Sequence, residues 1–284
     1  MLTAEPAPSA GGGLVRLRLD LAYDGTDFHG WARQPGLRTV EGVVTDALTT
    51  ALRPPNAPEL VVAGRTDSGV HARGQVVHVD APAATASDTD TLRRRLSGLL
   101  PPDVSVAHLR LAPPGFDARF SALWRSYEYT LCDSGAPDPL RRREVVVHRH
   151  RIDVDAMNAA SELLLGEHDF VAYCRPRPGA STIRELQVLR CGRFGGAVVV
   201  QVRADAFCHH MVRALVGALV SVGDGRRTPG WPRQVLDAGM RDGAVTVMPA
   251  PGLVLVEVGY PDADGLAARA ALTRRARTRG PAGA

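Results

Sequence analysis

Short segments in which apolar and polar residues alternate recur along this chain, and they constrain its fold more than any other feature. The first, from Val15 to Tyr23, alternates with period two, as expected of a strand with one buried face. Further strand-like runs are predicted over residues 60–62, 75–79, 104–111, 125–131, 197–204 and 253–259. Apolar residues at helical spacing predict helices over 40–51, 91–100, 155–165 and 211–222, with a short helix near Trp231. Many strands joined by short turns and mixed with helices indicate an α+β fold with a largely antiparallel sheet.

The length and the local composition of the chain predict how it is divided. Its 284 residues suit one large domain or two intimate ones. A leader over 1–13, rich in Ala, Pro and Gly, is predicted to be disordered and lacks the basic and apolar regions of a signal peptide. An N-terminal lobe over 14–112 and a C-terminal lobe over 113–262 follow. Residues 263–284 form an Ala- and Arg-rich tail, which is either a frayed helix or a disordered segment. The tail is expected to be solvated without a role, and loose phosphate binding is the alternative.

Arginine supplies all the positive side-chain charge that does not depend on histidine. The formal net charge is +4, and all 34 basic residues are arginine, since the sequence contains no lysine. Guanidinium groups bind phosphates with two hydrogen bonds and stack on bases, so this composition favours a nucleic-acid partner. A basic enzyme with a small anionic substrate has a similar composition. No apolar run approaches the ~20 residues that span a bilayer, which predicts a cytoplasmic protein without a membrane partner.

The cysteine pattern gives little support to a metal site. None of the four cysteines, at positions 132, 174, 191 and 208, belongs to a Cys-x-x-Cys pair, which predicts reduced thiols and no zinc site. The tripeptide Cys208-His209-His210 has the composition of a ligand cluster. Adjacent side chains on a helix or strand point in divergent directions, however, so no metal is predicted there.

The segment from Ala63 to Ala72 is the strongest motif in the chain. It places Arg65 and Asp67 on a short turn that Gly69 closes, directly after an apolar strand. Asp and Gly are common in turns for purely local reasons, so Arg-Thr-Asp-Ser-Gly alone is also compatible with a surface turn. The whole ten-residue string closely resembles the catalytic-aspartate motif of the TruA-type tRNA pseudouridine synthases. The resemblance implies that Asp67 is the catalytic residue.

Further segments resemble the same family and occur in the family's order between about residues 15 and 260. They are residues 23–31, 39–42, 74–78, 116–122, 166–170 and 207–213. One departure is Ser97, where the family commonly carries asparagine. The resemblance implies the pseudouridine synthase fold, with two similar α/β lobes, a mostly antiparallel mixed sheet and a central, positively charged cleft.

The resemblance also implies a role for four residues besides Asp67. Arg213 matches the arginine that pairs with the catalytic aspartate, and Tyr127 matches the tyrosine that stacks on the target base and takes part in removing its C5 proton. Leu253 matches a leucine on the opposite side of that base, and Arg65 an arginine that holds the flipped nucleotide out of the stem. From the residues alone, Arg213 is equally a helix-surface arginine, and Tyr127 and Leu253 are equally core residues. The reaction requires no metal and no redox cofactor.

These inferences predict a tRNA pseudouridine synthase that modifies uridines 38, 39 and 40 of the anticodon stem-loop and binds tRNA as a homodimer. One alternative is a non-catalytic tRNA-binding or RNA-folding protein on the same fold. A glycoside hydrolase needs a second carboxylate, for which Asp169 is a remote candidate, and an aspartate-dependent metal site lacks a convincing ligand set. His29, His71 and His78 are either RNA contacts or buried hydrogen-bonding groups, and the latter interpretation is favoured.

Overall fold

The computed structural model describes residues 13–54, 56–86, 88–175, 179 and 181–278. Its strands are β1 (Leu14–Tyr23), β2 (Val61–Val62), β3 (His71–Pro82), β4 (Val104–Leu111), β5 (Trp124–Cys132), β6 (Val146–Val147), β7 (Gly166–Asp169), β8 (Ile183–Phe194), β9 (Ala197–Ala204) and β10 (Leu253–Gly259). Its helices are α1 (Val40–Leu52), α2 (Ala83–Ala86), α3 (Thr89–Leu99), α4 (Val154–Glu162), α5 (Met211–Gly223), α6 (Trp231–Asp237) and α7 (Leu266–Thr278). None of the helices in these ranges is long and apolar enough to cross a membrane.

All ten strands belong to one sheet. Eight of them follow the order β4-β1-β3-β10-β5-β9-β8-β7, while β2 pairs with β3 and β6 pairs with β5. The pairs β3–β10 and β5–β6 are parallel and the other pairs are antiparallel. The predicted α+β class with a mostly antiparallel mixed sheet is therefore confirmed.

The N-terminal half of the sheet is built around β1. Alternation along this strand buries Leu17, Leu19 and Leu21 completely, and β3 and β4 pair with its two edges. Helix α1 begins after Thr39, whose hydroxyl accepts a hydrogen bond from the Gly42 amide at 3.3 Å. Its apolar face includes the fully buried Leu48, and α1 packs against α3.

Helix α5 forms the centre of the C-terminal half. Every residue of α5 other than Arg213 is buried, as expected for a helix that is apolar on all sides. It packs against α4, which also covers β8, and against α6. Arg213 is therefore the charged residue of a helix that is otherwise apolar except for the buried Ser221, and its side chain has to leave the core toward a specific partner.

The last strand, β10, joins the two halves. It pairs in parallel with β3 through Val254 opposite His71, and antiparallel with β5 through Leu255 opposite Tyr127. The approach to β3 requires Gly74, because a Cβ atom there would lie 2.1 Å from the carbonyl oxygen of Val256. The beginning of β3, the beginning of β10 and the middle of β5 thus meet in the centre of the sheet.

Several sequence expectations differ from the structure. β7 and β8 were not predicted, and α4 ends at Glu162 although a helix to residue 165 was expected, because the chain turns there and enters β7 at Gly166. Of the two alternatives for the tail, the helix is confirmed for α7. It is not a solvated segment, since Leu266 and Ala270 are buried and the Arg274 guanidinium lies 2.6 Å from an Asp117 oxygen. The predicted disorder of 1–13 concerns residues outside the described ranges, except Gly13.

Candidate active site

The turn that carries Asp67 is fixed by hydrogen bonds to its main chain. The Thr66 carbonyl accepts from the Trp31 amide at 3.0 Å, and the Gly64 carbonyl accepts from the Gln75 side chain at 2.8 Å. The Thr66 hydroxyl lies 2.8 Å from the Tyr23 phenol oxygen, within a buried cluster. Within the turn itself, the Val70 amide donates to the Asp67 carbonyl at 3.2 Å. The aspartate therefore projects from a main chain held on both sides.

Gly30 allows the neighbouring segment to pack against this turn. Its φ of +88° lies in the left-handed region that favours glycine. A Cβ atom at this position would also lie 2.9 Å from the Thr66 carbonyl oxygen and 3.1 Å from the Ser68 nitrogen. The glycine in the predicted motif over 23–31 thus supports the conformation of the aspartate turn directly.

Three basic side chains surround the Asp67 carboxylate, whose side chain is 29% exposed. His209 Nε2 lies 3.3 Å from Oδ1, and His210 Nε2 lies 3.5 Å from Oδ2. Arg213 Nη1 lies 3.8 Å from Oδ2, while Arg213 Nε donates to the Met248 carbonyl at 2.5 Å. The predicted proximity of Arg213 and Asp67 is present, although the histidines are closer to the carboxylate.

The two histidines converge on Asp67 because of the main-chain conformation at the start of α5. His210 has φ 69° and ψ 0°, in the left-handed region, and its side chain makes no capping hydrogen bond to the helix. The expectation that adjacent side chains diverge is therefore wrong here, since it applies to regular helix or strand geometry. The imidazole rings lie close together, with centroids 3.9 Å apart.

A cleft of about 460 Å³ contains Asp67 and all four other predicted site residues. Arg65 is exposed, Leu253 is buried, and Tyr127 is 7% exposed with its ring edge-on to Phe207 at 5.2 Å. Burial raises the pKa of the Tyr127 phenol well above its ordinary value. Tyr127 is therefore a neutral phenol near physiological pH. Sequence reasoning had not assigned Phe207, Arg119 or Arg125 to this cleft, although all three line it.

Arg125 connects three segments that reach the cleft. Its Nη2 donates to the Ala63 carbonyl at 2.7 Å and the Arg119 carbonyl at 3.0 Å, and its Nη1 donates to the Asp205 carbonyl at 2.7 Å. The residue is 7% exposed, and burial lowers the pKa of its guanidinium. An arginine stays charged in proteins even so. It thus places a buried positive charge beside the aspartate turn.

Asp67, His209 and His210 also have the composition of a metal site. One ligand atom from each lies within 4.8 Å of the others, and three protein ligands with an open position are typical of catalytic zinc. Arg213 already approaches the same carboxylate, however, and Arg65, Arg119 and Arg125 line the cleft. These cations repel a divalent ion, so the residues fit one poorly. The absence of a metal here stays a prediction.

One expectation about the cysteines is wrong. Cys174 and Cys208 form a disulfide, with Cα atoms 5.7 Å apart, whereas reduced thiols were predicted. Their separation of 34 residues gave no sign that β8 and β9 return the chain to the same place. Because Cys208 directly precedes the two histidines, the bond links their segment to the end of the turn at residues 171–173. Cys132 and Cys191 are buried and unbridged.

The other histidines and Asp169 lie outside this cleft. His71 and His78 are buried, and their Nδ1 atoms accept hydrogen bonds from the amides of Gly25 and Ala118, which confirms the favoured interpretation. His29 is exposed, so that interpretation is wrong for this residue. Asp169 accepts from the Val171 amide and the Thr182 hydroxyl and does not line the cleft. It is therefore no partner for Asp67 in a glycoside hydrolase.

Comparisons with known proteins assign the chain. A family model described as tRNA pseudouridine synthase matches residues 160–261. The chain is 55% identical over 270 residues to tRNA pseudouridine synthase A of Streptomyces griseus. This match covers 94% of this chain and 95% of the relative. The chain is 58% identical to the protein of that name from Frankia casuarinae and 50% identical to that from Mycobacterium leprae, each over 93% of this chain and 96% of the relative.

A solved structure of an H/ACA RNP bound to a substrate RNA containing 2′-deoxyuridine covers 72% of this chain and 44% of that chain. Its identity is 13% and its TM-score 0.32, a likeness too weak to carry an argument. The similarity to the curated relatives is sufficient to assign the family. The fold is that of a pseudouridine synthase, as the motifs predicted. More narrowly, the chain belongs to the tRNA pseudouridine synthase A family.

Proposed function

We propose that this chain is an isomerase that converts uridine to pseudouridine at positions 38, 39 and 40 of the tRNA anticodon stem-loop. The observation that carries the proposal is the Asp67 carboxylate, which His209, His210 and Arg213 approach within 4 Å, in an arginine-lined cleft beside a buried tyrosine. The relatives that cover almost the whole chain carry the name tRNA pseudouridine synthase A, which supports the substrate and the reaction.

The reaction is an isomerisation that needs one group beside the sugar. The bond from C1′ to N1 breaks, the base rotates, and a bond from C1′ to C5 forms while C5 loses a proton and N1 gains one. Asp67 is the catalytic residue, either by attack at the sugar, by addition to the base or by abstraction of a ribose proton. Each route uses the carboxylate, and Arg213 and the two histidines lie within 4 Å of its oxygens.

The other cleft residues bind the extruded uridine. Tyr127 stacks on the base and Leu253 packs on its opposite side, with stacking contributing about 1–3 kcal/mol. Removal of the C5 proton by Tyr127 requires a phenolate, and the raised pKa of this phenol disfavours that form. Arg65 is exposed at the cleft and holds the nucleotide out of the stem, which offsets part of the cost of extrusion.

The partner and the cellular setting follow from the substrate. One cleft takes one nucleotide, so we propose that a homodimer of cytoplasmic subunits binds the rest of the tRNA across both copies. Recognition by overall shape suits an enzyme that accepts three neighbouring positions. Light scattering of the chain alone and with tRNA measures the number of subunits in each state.

Pseudouridine mapping tests the proposed function. An unmodified tRNA transcript with uridines at 38 to 40 is incubated with the enzyme in excess EDTA, and conversion at those positions is expected. Asp67→Asn is expected to abolish conversion while tRNA affinity stays within about threefold, because the amide keeps the shape and loses only the charge. Asp46→Asn is the matched control, since Asp46 is an exposed aspartate of α1 outside the cleft.

The outcomes separate the alternatives. If the Asp67→Asn variant still converted uridine to pseudouridine, Asp67 would not be the catalytic residue. Tight tRNA binding without conversion by the unsubstituted chain would favour the non-catalytic RNA-binding protein. Conversion at other positions only would keep the reaction and overturn the substrate sites.

A further inference from the structure

Two histidines that have no assigned role face the two oxygens of the Asp67 carboxylate separately. His209 Nε2 lies 3.3 Å from Oδ1, and His210 Nε2 lies 3.5 Å from Oδ2. Both side chains are largely buried, at 17% and 22% exposure, and both line the cleft. Catalytic hydrogen bonds are often long in the absence of substrate and shorten when it binds. The pair is thus placed to fix the rotation of the carboxylate rather than its position alone.

The main chain at His210 is an independent observation. Among the described residues, the non-glycine residues with positive φ are Arg53, which ends α1, and His210, which begins α5. The residue before an N-terminal turn usually caps the helix with its side chain, whereas that of His210 makes no such bond. Strained conformations persist where the surrounding structure enforces them, and they cluster at active sites. Here the strain directs an imidazole to the catalytic carboxylate.

Electrostatics indicate which protonation form of His210 acts. The groups that face His210 are Asp67 from the turn before β3, His209 and Arg213 from its own segment, and Arg175 from the loop after residue 173. Burial is the largest influence and lowers the pKa of His210; Asp67 opposes this, while His209, Arg213 and Arg175 add to it. His210 is therefore a neutral imidazole at physiological pH. A neutral N–H orients the carboxylate without neutralising its charge.

We infer that His209 and His210 are positioning residues that hold the two oxygens of Asp67 in the orientation used for the reaction, an inference that rests on the proposed function. Neither histidine transfers a proton to the substrate in this role. Protonation of His210 converts a neutral donor into a cation, which binds the carboxylate more strongly and makes it a weaker nucleophile or base. The chemical step should therefore slow as the pH falls through the range in which histidines titrate.

A pair of substitutions at 210 separates the imidazole from the backbone. His210→Asn keeps a residue that tolerates the left-handed region but shortens the side chain, so its amide no longer reaches Asp67. His210→Gln keeps an N–H near the position of Nε2. Under single-turnover conditions with saturating enzyme, we expect His210→Asn to slow conversion by about tenfold or more, with tRNA affinity within about threefold. His210→Gln should regain most of the rate.

The pH profile gives a readout that a purely structural role would not change. In the unsubstituted enzyme the single-turnover rate should fall on the acidic side, and in the double variant His209→Gln, His210→Gln this fall should move to lower pH. The inference is overturned if His209→Asn and His210→Asn each keep the rate within about twofold. It is also overturned if the loss lies entirely in tRNA affinity, or if the acid limb does not move.

A measurement without substrate separates this inference from the proposed function. NMR titration of the histidine rings should give lower pKa values for His209 and His210 in Asp67→Asn than in the unsubstituted chain, because the anion that favours their protonation is gone. Equal values in the two proteins would contradict the contact itself. Absence of pseudouridine with the unsubstituted chain would instead contradict the proposed function.

Discussion

Replacing Arg125 by methionine tests whether its guanidinium holds the active-site segments together. The side chain donates three hydrogen bonds to main-chain carbonyls, those of Ala63, Arg119 and Asp205. Hydrogen bonds that involve a charged group contribute roughly 1.5–3 kcal/mol each, and a buried carbonyl left without a donor costs about 1–3 kcal/mol. Burying the guanidinium costs several kcal/mol, which the methionine variant recovers. We expect a net loss of about 3 kcal/mol in the free energy of unfolding.

Urea unfolding followed by circular dichroism measures this loss, and Arg33→Met provides the matched control. The Arg33 side chain is 58% exposed and pairs with Asp46 at 3.0 Å, so its removal should change the free energy by less than about 0.5 kcal/mol. Turnover should fall in the Arg125 variant alone, since Ala63 leads into the Asp67 turn and Asp205 leads toward the histidines. Equal stability and equal turnover in the two variants would refute the proposed role of this guanidinium.

Four further outcomes follow from the described contacts. Tyr127→Leu should weaken tRNA binding by roughly five- to 150-fold in a titration, whereas Tyr127→Phe, which keeps the stacking ring, should bind nearly as the unsubstituted chain does. Asp133, paired with Arg193 at 2.6 and 2.8 Å, has a pKa lowered to about 2, chiefly by that guanidinium. Its stabilisation is present above about pH 4 and lost as the pH falls toward 2, so Asp133→Asn should flatten acid unfolding over that interval; an unchanged acid midpoint would contradict this. Leu266→Ala should lower the free energy of unfolding by about 2–4 kcal/mol in urea if α7 packs as described, and a surface-like value near zero would show that it does not. Excess EDTA should leave the rate of conversion unchanged, and a loss that zinc restores would reinstate a metal at Asp67.

The sequence predicted the elements whose periodicity is regular. Alternation in β1 and helical spacing in α5 are unbroken, and the bounds of both were close to those observed. β8 was missed because its buried residues Leu186, Leu189 and Cys191 do not keep period two, and its pairing with β9 shifts register between 186 and 188. Such a shift is a property of the pairing and leaves no regular pattern in the strand itself.

The candidate site, like the fold, was predicted in part. All five predicted residues line one cleft, and they were found because local motifs carry the resemblance to the family. The contacts of the histidines with Asp67 depend on the left-handed conformation of His210. A histidine in the sequence does not predict that conformation. Arg125 gave no signal either, since an arginine at the start of a strand is normally exposed. The histidine contacts and the hydrogen bonds of Arg125 both arise from three-dimensional proximity between segments that are distant in the chain.

The position of β10 in the centre of the sheet has a consequence for biosynthesis. A chain made from its amino end exposes β3 and β5 long before residues 253–259 leave the ribosome, and until then the strand that pairs with both of them is missing. Leu253 and the meeting of the Asp67 turn with Tyr127 are therefore among the last features to form. We expect the nascent chain to remain without activity until almost all of it has been translated.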